Sequence, residues 1–128
     1  MTYLLDTHTF LWILNTPEAL PARVQSIAED SFATLLVSIA TPWEMAIKVA
    51  CNKLDAADIL DDFEGAVTRG RFTVLETSIP HVIRGGRLPA HHHDPFDRLL
   101  AAQALELRVP LLSRDMVFDL YGVKRIWD

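Results

Sequence analysis

The chain has one cysteine, Cys51, in 128 residues, so no disulfide can form within it. That usage fits a reducing compartment, and the expected location is the cytoplasm. No apolar run approaches the ~20 residues of a membrane span, so no membrane partner is expected. No basic segment precedes the first apolar run, so no secretory leader is expected either. Positive charge is also scarce: 12 Lys and Arg against 17 Asp and Glu give a net charge of −5. A module that holds nucleic acid by electrostatics alone would be basic. The shortage does not exclude a nuclease that gathers carboxylates around divalent cations, because the ions reverse the local sign. Repeats, linkers and low-complexity stretches are absent. Half of the residues are hydrophobic, which argues against disorder and makes residues 1–128 one domain's worth of chain.

What is present alternates. Short apolar runs predict strands over residues 3–5, 34–38, 72–75, 109–113 and 123–127. Helices are expected over residues 7–14, 21–29 and 56–69. A short one opens at Ser78-Ile79-Pro80 and is ended by Gly85-Gly86, and another runs from Pro95 to about Arg108. A further helix carries Trp43, Glu44, Met45 and Ile47 and ends near Asn52. Its start has two readings. Thr41-Pro42-Trp43-Glu44 fits a capping box, or else Ser38 is the cap and Pro42 closes the first turn. Asp115 to Tyr121 reads as a short helix or turn closed by Gly122, before an edge strand blunted by Lys124 and Arg125. Strand–helix alternation implies an α/β fold with a mostly parallel sheet of about five strands, covered on both faces.

The densest chemistry lies at His91-His92-His93-Asp94-Pro95-Phe96-Asp97-Arg98. Asp94 is a good N-cap with Pro95 at N1, and Asp97 at N3 would complement the helix dipole. In parallel sheets the ligand crevice lies beyond the carboxyl ends of the strands. Asp6, Glu44 and Asp115 all follow strands directly or closely. Converging carboxylates repel one another without a counter-charge, and a divalent cation supplies one. Oxygen ligands without cysteine suit Mg2+ or Mn2+. The three histidines match no usual zinc spacing and read as loop residues. Lys48, four residues after Glu44, reads as a helix-face ion pair. Trp12, Trp43 and Trp127 have rings that could stack bases, although core packing is the expectation for Trp12 and Trp43. Cys51 has no evident activating partner and is expected to be structural.

Leu4-Leu5-Asp6-Thr7-His8, Trp43 to Lys48, Leu88-Pro89 through His92, Asp94 to Ala104, and Ser113-Arg114-Asp115 to Tyr121 together resemble the PIN-domain toxins of the VapC family. The resemblance runs in order over almost the whole chain, and residues 94–104 are its specific part. It implies a three-layer α/β/α sandwich and a Mg2+-dependent endoribonuclease acting on RNA. It also implies a VapB-type antitoxin partner and a homodimer, with toxin–antitoxin hetero-oligomers. By that resemblance Asp6, Glu44 and Asp97 take the places of the core metal-binding acids and Asp115 that of the fourth. Ser113 stands where a threonine is common, and Thr41 where serine is frequent. Asp94 matches a recurrent residue and keeps its capping role beside the site. Thr7, His92 and Arg98 fall in the same motifs, as supporting residues.

Three other readings compete. A haloacid-dehalogenase-like phosphatase needs a second Asp two residues after the first, and His8 stands there. A non-catalytic binding module of the same fold would not need all four acids. A PIN-type nuclease acting on DNA stays open at this stage.

Overall fold

The five apolar runs pair into one sheet in the computed structural model, which describes residues 1–128. The chain runs β1 (Thr2–Leu5), α1 (Thr7–Asn15), a 3-10 turn at Pro17–Ala19, α2 (Ala22–Glu29), β2 (Thr34–Ser38) and α3 (Ala40–Ala50). It continues through α4 (Ala57–Asp61), α5 (Phe63–Arg69), β3 (Phe72–Leu75), α6 (Ile79–Arg87) and α7 (Pro95–Leu107). It ends in β4 (Leu111–Leu112), a 3-10 segment at Met116–Tyr121 and β5 (Arg125–Ile126). The strand order is β3-β2-β1-β4-β5, and every pairing is parallel. β1 is central because its residues are apolar on both faces. Leu5 packs with Phe10, Val24 and Met45, whereas Leu4 packs with Leu100, Ala104 and Phe118. Adjacent strand residues point to opposite faces, so the two clusters are the two layers of a three-layer sandwich. No helix is long and apolar enough to cross a membrane.

Several local expectations are corrected. The helix expected over residues 56–69 is two helices. The Asp62 carboxylate accepts from the Gly65 N–H at 3.2 Å, and the chain restarts there. A short acidic side chain can compete with helical bonding in this way. The expected strands at 109–113 and 123–127 shrink to two residues each, although flanking bonds extend them, such as Leu4 N–H to Pro110 O at 2.9 Å. At the start of α3 the Thr41 capping box does not form, and the Thr41 hydroxyl is buried without a partner. Instead Ser38 Oγ accepts from the Ala40 N–H at 3.1 Å. Pro42 then lies in the first turn, where its missing N–H is no loss.

Gly85-Gly86 does not end α6, which runs on to Arg87. Gly85 is buried against α7, and a Cβ added there would sit 3.5 Å from Leu99 Cα. That is ordinary contact, so there is room for a methyl group between α6 and α7 but for little more. Gly85→Ala should fit and stabilise by up to about 1 kcal/mol through helix propensity. Gly85→Leu should overpack the contact and cost about 1–3 kcal/mol. Urea unfolding of both variants checks this, and equal midpoints would refute it.

Candidate active site

Asp6 leaves the end of β1 and caps α1. Its Oδ1 accepts from the Thr9 N–H at 2.9 Å and its Oδ2 from Ser113 Oγ at 2.6 Å. Ser113 follows β4, the parallel neighbour of β1, so the sheet itself brings the two together. The Asp115 N–H in turn donates to Ser113 Oγ at 3.0 Å. Burial pushes the Asp6 carboxyl above its usual range, and the bonds from Ser113 and Thr9 and the charge of His8 offset part of that rise.

Glu44 enters from α3 and is buried. Thr7 Oγ1 donates to its Oε1 and Lys48 Nζ to its Oε2, each at 2.5 Å. Burial alone would lower the Lys48 ammonium. The Glu44 bond and charge outweigh burial, with help from Asp94 and Asp97, and its pKa is raised. The helix-face pair expected from the sequence is therefore also the cation of the acidic cluster.

Asp94 caps α7 as expected, accepting from the Phe96 N–H at 2.8 Å. Asp97, one turn inside, is half-buried, and its carboxyl is pushed up to about 8. Burial is the largest cause, followed by the negative charges of Asp94, Glu44, Asp6 and Asp115. Four acids from four separate parts of the chain thus act on one carboxylate. Dipole support at N3 would lower an acid's pKa, so mutual repulsion and burial prevail here.

His92 is no free loop residue. Its N–H donates to Tyr121 Oη at 2.7 Å, and its Nδ1 accepts from the Asp94 N–H at 3.1 Å. Nδ1 is then the unprotonated nitrogen, and Nε2 carries the proton. Nε2 lies 2.9 Å from Asp97 Oδ2 and 3.5 Å from Asp115 Oδ2. Ligand atoms of His92, Asp97 and Asp115 lie within 4.8 Å of one another. His91 and His93 are exposed, in keeping with the loop reading. Arg98 turns away from the acids. It donates to the carbonyls of Gly86, Leu88, Pro89 and His92 and clamps the 86–92 loop.

The donor set is carboxylate oxygen with no cysteine near, since Cys51 is exposed at the far end of α3. Such a set fits a hard divalent cation. Beside it a cleft of about 520 Å3 is lined by Asp6, His8, Trp12, Arg114, Asp115 and Met116.

The sequence profile of the PIN domain matches residues 3–124. The chain belongs to the PIN domain family. No curated protein matches this PIN domain in sequence. Among solved structures it is similar to VapBC2 from Rickettsia felis bound to a DNA fragment from its promoter. That match has 16% identity, covers 100% of each chain and gives a TM-score of 0.69. It is also similar to VapBC-1 from nontypeable Haemophilus influenzae, at 20% identity over 98% of this chain and 97% of that one, TM-score 0.69. FitAcB from Neisseria gonorrhoeae gives 18% identity over 97% and 96%, TM-score 0.64. At these identities the likeness is one of fold.

Sequence reasoning missed the aim of His92 and the part Lys48 plays in this PIN domain. The i+4 spacing of Glu44 and Lys48 carried a signal for Lys48. The resemblance marks His92 as a supporting residue, but nothing local foretells that its ring reaches Asp97, because the Tyr121 hydroxyl that pins it lies 29 residues away. The core expectation for Trp43 is also corrected: its ring is 65% exposed and packs edge-on to Phe96, with centroids 5.1 Å apart. Trp12 is half-buried against the core.

Proposed function

We propose that this PIN domain is the toxin of a VapC-type toxin–antitoxin pair, a Mg2+- or Mn2+-dependent endoribonuclease. The observation that carries it is the convergence of acids from separate elements: Ser113 joins Asp6 to Asp115, and ligand atoms of His92, Asp97 and Asp115 lie within 4.8 Å of one another. Asp6, Glu44, Asp97 and Asp115 would hold the ion. When bound, the ion supplies charge to the phosphoryl oxygens and an acidified water. The chain's own residues do the rest. Ser113 ties Asp6 to Asp115, and Thr7 and Lys48 fix the Glu44 carboxylate. Asp94 starts the helix that carries Asp97, His92 orients Asp97, and Arg98 holds the loop that carries His92. Residues 1–128 act as one nuclease domain, and the place of action is the cytoplasm.

The partner is a VapB-type antitoxin. Supporting this are the fold neighbours, which are VapBC and FitAcB assemblies. An arginine or lysine from it would satisfy the carboxylates by charge-assisted bonds. The homodimer is supported by an exposed apolar face that includes Ile39, Trp43, Ile79, Val82 and Ile83.

Incubation of the purified protein with total RNA tests the reading. Internal cuts should appear with Mg2+ or Mn2+ and vanish in EDTA. Co-expressed partner should co-purify and suppress them. Undiminished cleavage in EDTA by a preparation free of other RNases would overturn the metal assignment.

A further inference from the structure

The cleft beside Asp6 and Asp115 has a composition that metal binding does not explain. Part of its lining is aromatic: His8 packs on Trp12 with centroids 5.8 Å apart and rings tilted by 41°, and Trp12 is backed by Trp127 at 5.6 Å, tilted by 46°. Met116 lines the same cleft, 70% exposed, a polarisable apolar side chain held out in solvent. Arg114 and His8 also line it, both exposed, and neither forms an ion pair within the chain. Arg114 immediately precedes Asp115, so its free guanidinium is anchored at the edge of the acid cluster.

An aromatic ring, an exposed apolar side chain, a free bidentate cation and an adjoining carboxylate cluster match one kind of occupant. We infer that this cleft is a nucleotide subsite for single-stranded RNA. The base next to the cleaved phosphodiester lies on Trp12 and against Met116, and Arg114 takes a neighbouring phosphate. Every base offers a π-face, so such a ring accepts unpaired bases with little sequence preference. A volume of about 520 Å3 falls in the range of small-ligand sites. The groove on the other flank, lined by Trp43, Phe96, Val82 and Leu99, does not share this chemistry. Its arginine, Arg98, is already spent on backbone carbonyls. The inference rests on the nuclease reading, because the acid cluster fixes where the phosphodiester lies.

The test is fluorescence anisotropy of a labelled 12-nucleotide single-stranded RNA with Asp97→Asn protein in Mg2+, where cleavage is blocked. Trp12→Leu should weaken binding about tenfold or more, and Trp12→Phe should restore most of it, because the ring is what stacks. Arg114→Ala should weaken binding and flatten its salt dependence by about one phosphate contact. Met116→Ala should weaken it severalfold. Arg114 and Met116 are exposed, so these two variants keep the test open even if Trp12→Leu fails to fold. Unchanged affinity in Arg114→Ala and Met116→Ala would overturn the subsite while leaving the nuclease reading intact. A single-stranded DNA 12-mer that binds tighter than the RNA, with the same losses, would overturn the choice of RNA. If the Asp97→Asn protein binds neither strand and the wild type in Mg2+ cleaves no RNA, both the subsite and the nuclease reading fall.

Discussion

Replacing Asp97 by Asn should abolish RNA cleavage and at the same time make the metal-free protein more stable. The side chain keeps its shape but can no longer carry charge. A neutral amide is a poorer ligand for a hard cation, and metal charge stabilisation is worth several kcal/mol, so activity should fall by about a hundredfold or more. Stability moves the other way because the native site resists the Asp97 charge. Its carboxyl titrates near 8 in the folded chain against an ordinary value of 3.8. Between those values the native protein holds a proton that the unfolded chain releases. The native state binds more protons there, so wild-type stability falls as pH rises from about 4 to about 8 and is level above that. Asn has no proton to lose, and the advantage of the variant in EDTA should widen across that window. At pH 7 it should be at least about 1 kcal/mol. Adding Mg2+ should stabilise the wild type and hardly shift the variant, since binding stabilises only as far as affinity allows. Thermal unfolding of both proteins in EDTA and in Mg2+ at pH 5, 7 and 8.5 reads these differences. If Asp97 only supports the helix dipole, the variant will lose about 0.3–1 kcal/mol. It will then keep its cleavage and respond to metal as the wild type does.

The order of strands and helices was legible because burial on both faces of a parallel sheet leaves short continuous apolar runs. Leu4-Leu5 and Leu35 to Val37 could hardly be anything else. The acids at strand ends were legible for the same reason, since the fold places its crevice there. What the sequence hid was decided by contacts between distant residues. Gly85 looks like a stop signal, yet it lies inside α6, packed against Leu99, fourteen positions on. Asp62 looks like one more solvated acid of a helix face, yet its bond to Gly65 divides that helix. Asp97 looks like dipole support until Glu44, Asp6 and Asp115 are folded around it. Trp43 has the spacing of a core residue on α3, but the face it occupies is left uncovered in a single chain.

The same carboxyl makes metal affinity steeply dependent on pH. Asp97 cannot carry its full charge to a cation while protonated, so below about 8 binding must expel a proton. With one coupled proton, affinity for Mn2+ should rise about tenfold per pH unit, or about a hundredfold from pH 6 to pH 8, and flatten above. Calorimetric titration with Mn2+ in two buffers of different ionisation enthalpy counts the protons directly. About one should be released per ion at pH 6 and almost none at pH 9. Asp97→Asn should remove both the slope and the proton. Lys48 and Asp6 are the other groups of the site whose titration is displaced. Lys48 is held protonated by Glu44 through the whole range. Burial raises the Asp6 carboxyl too, and a proton leaving Asp6 on metal binding would leave a slope in place in Asp97→Asn. A slope that survives the substitution therefore moves the coupled proton from Asp97 to Asp6. An affinity that is flat from pH 6 to 8 in the wild type would mean that Asp97 is already ionised and that the four acids do not crowd it.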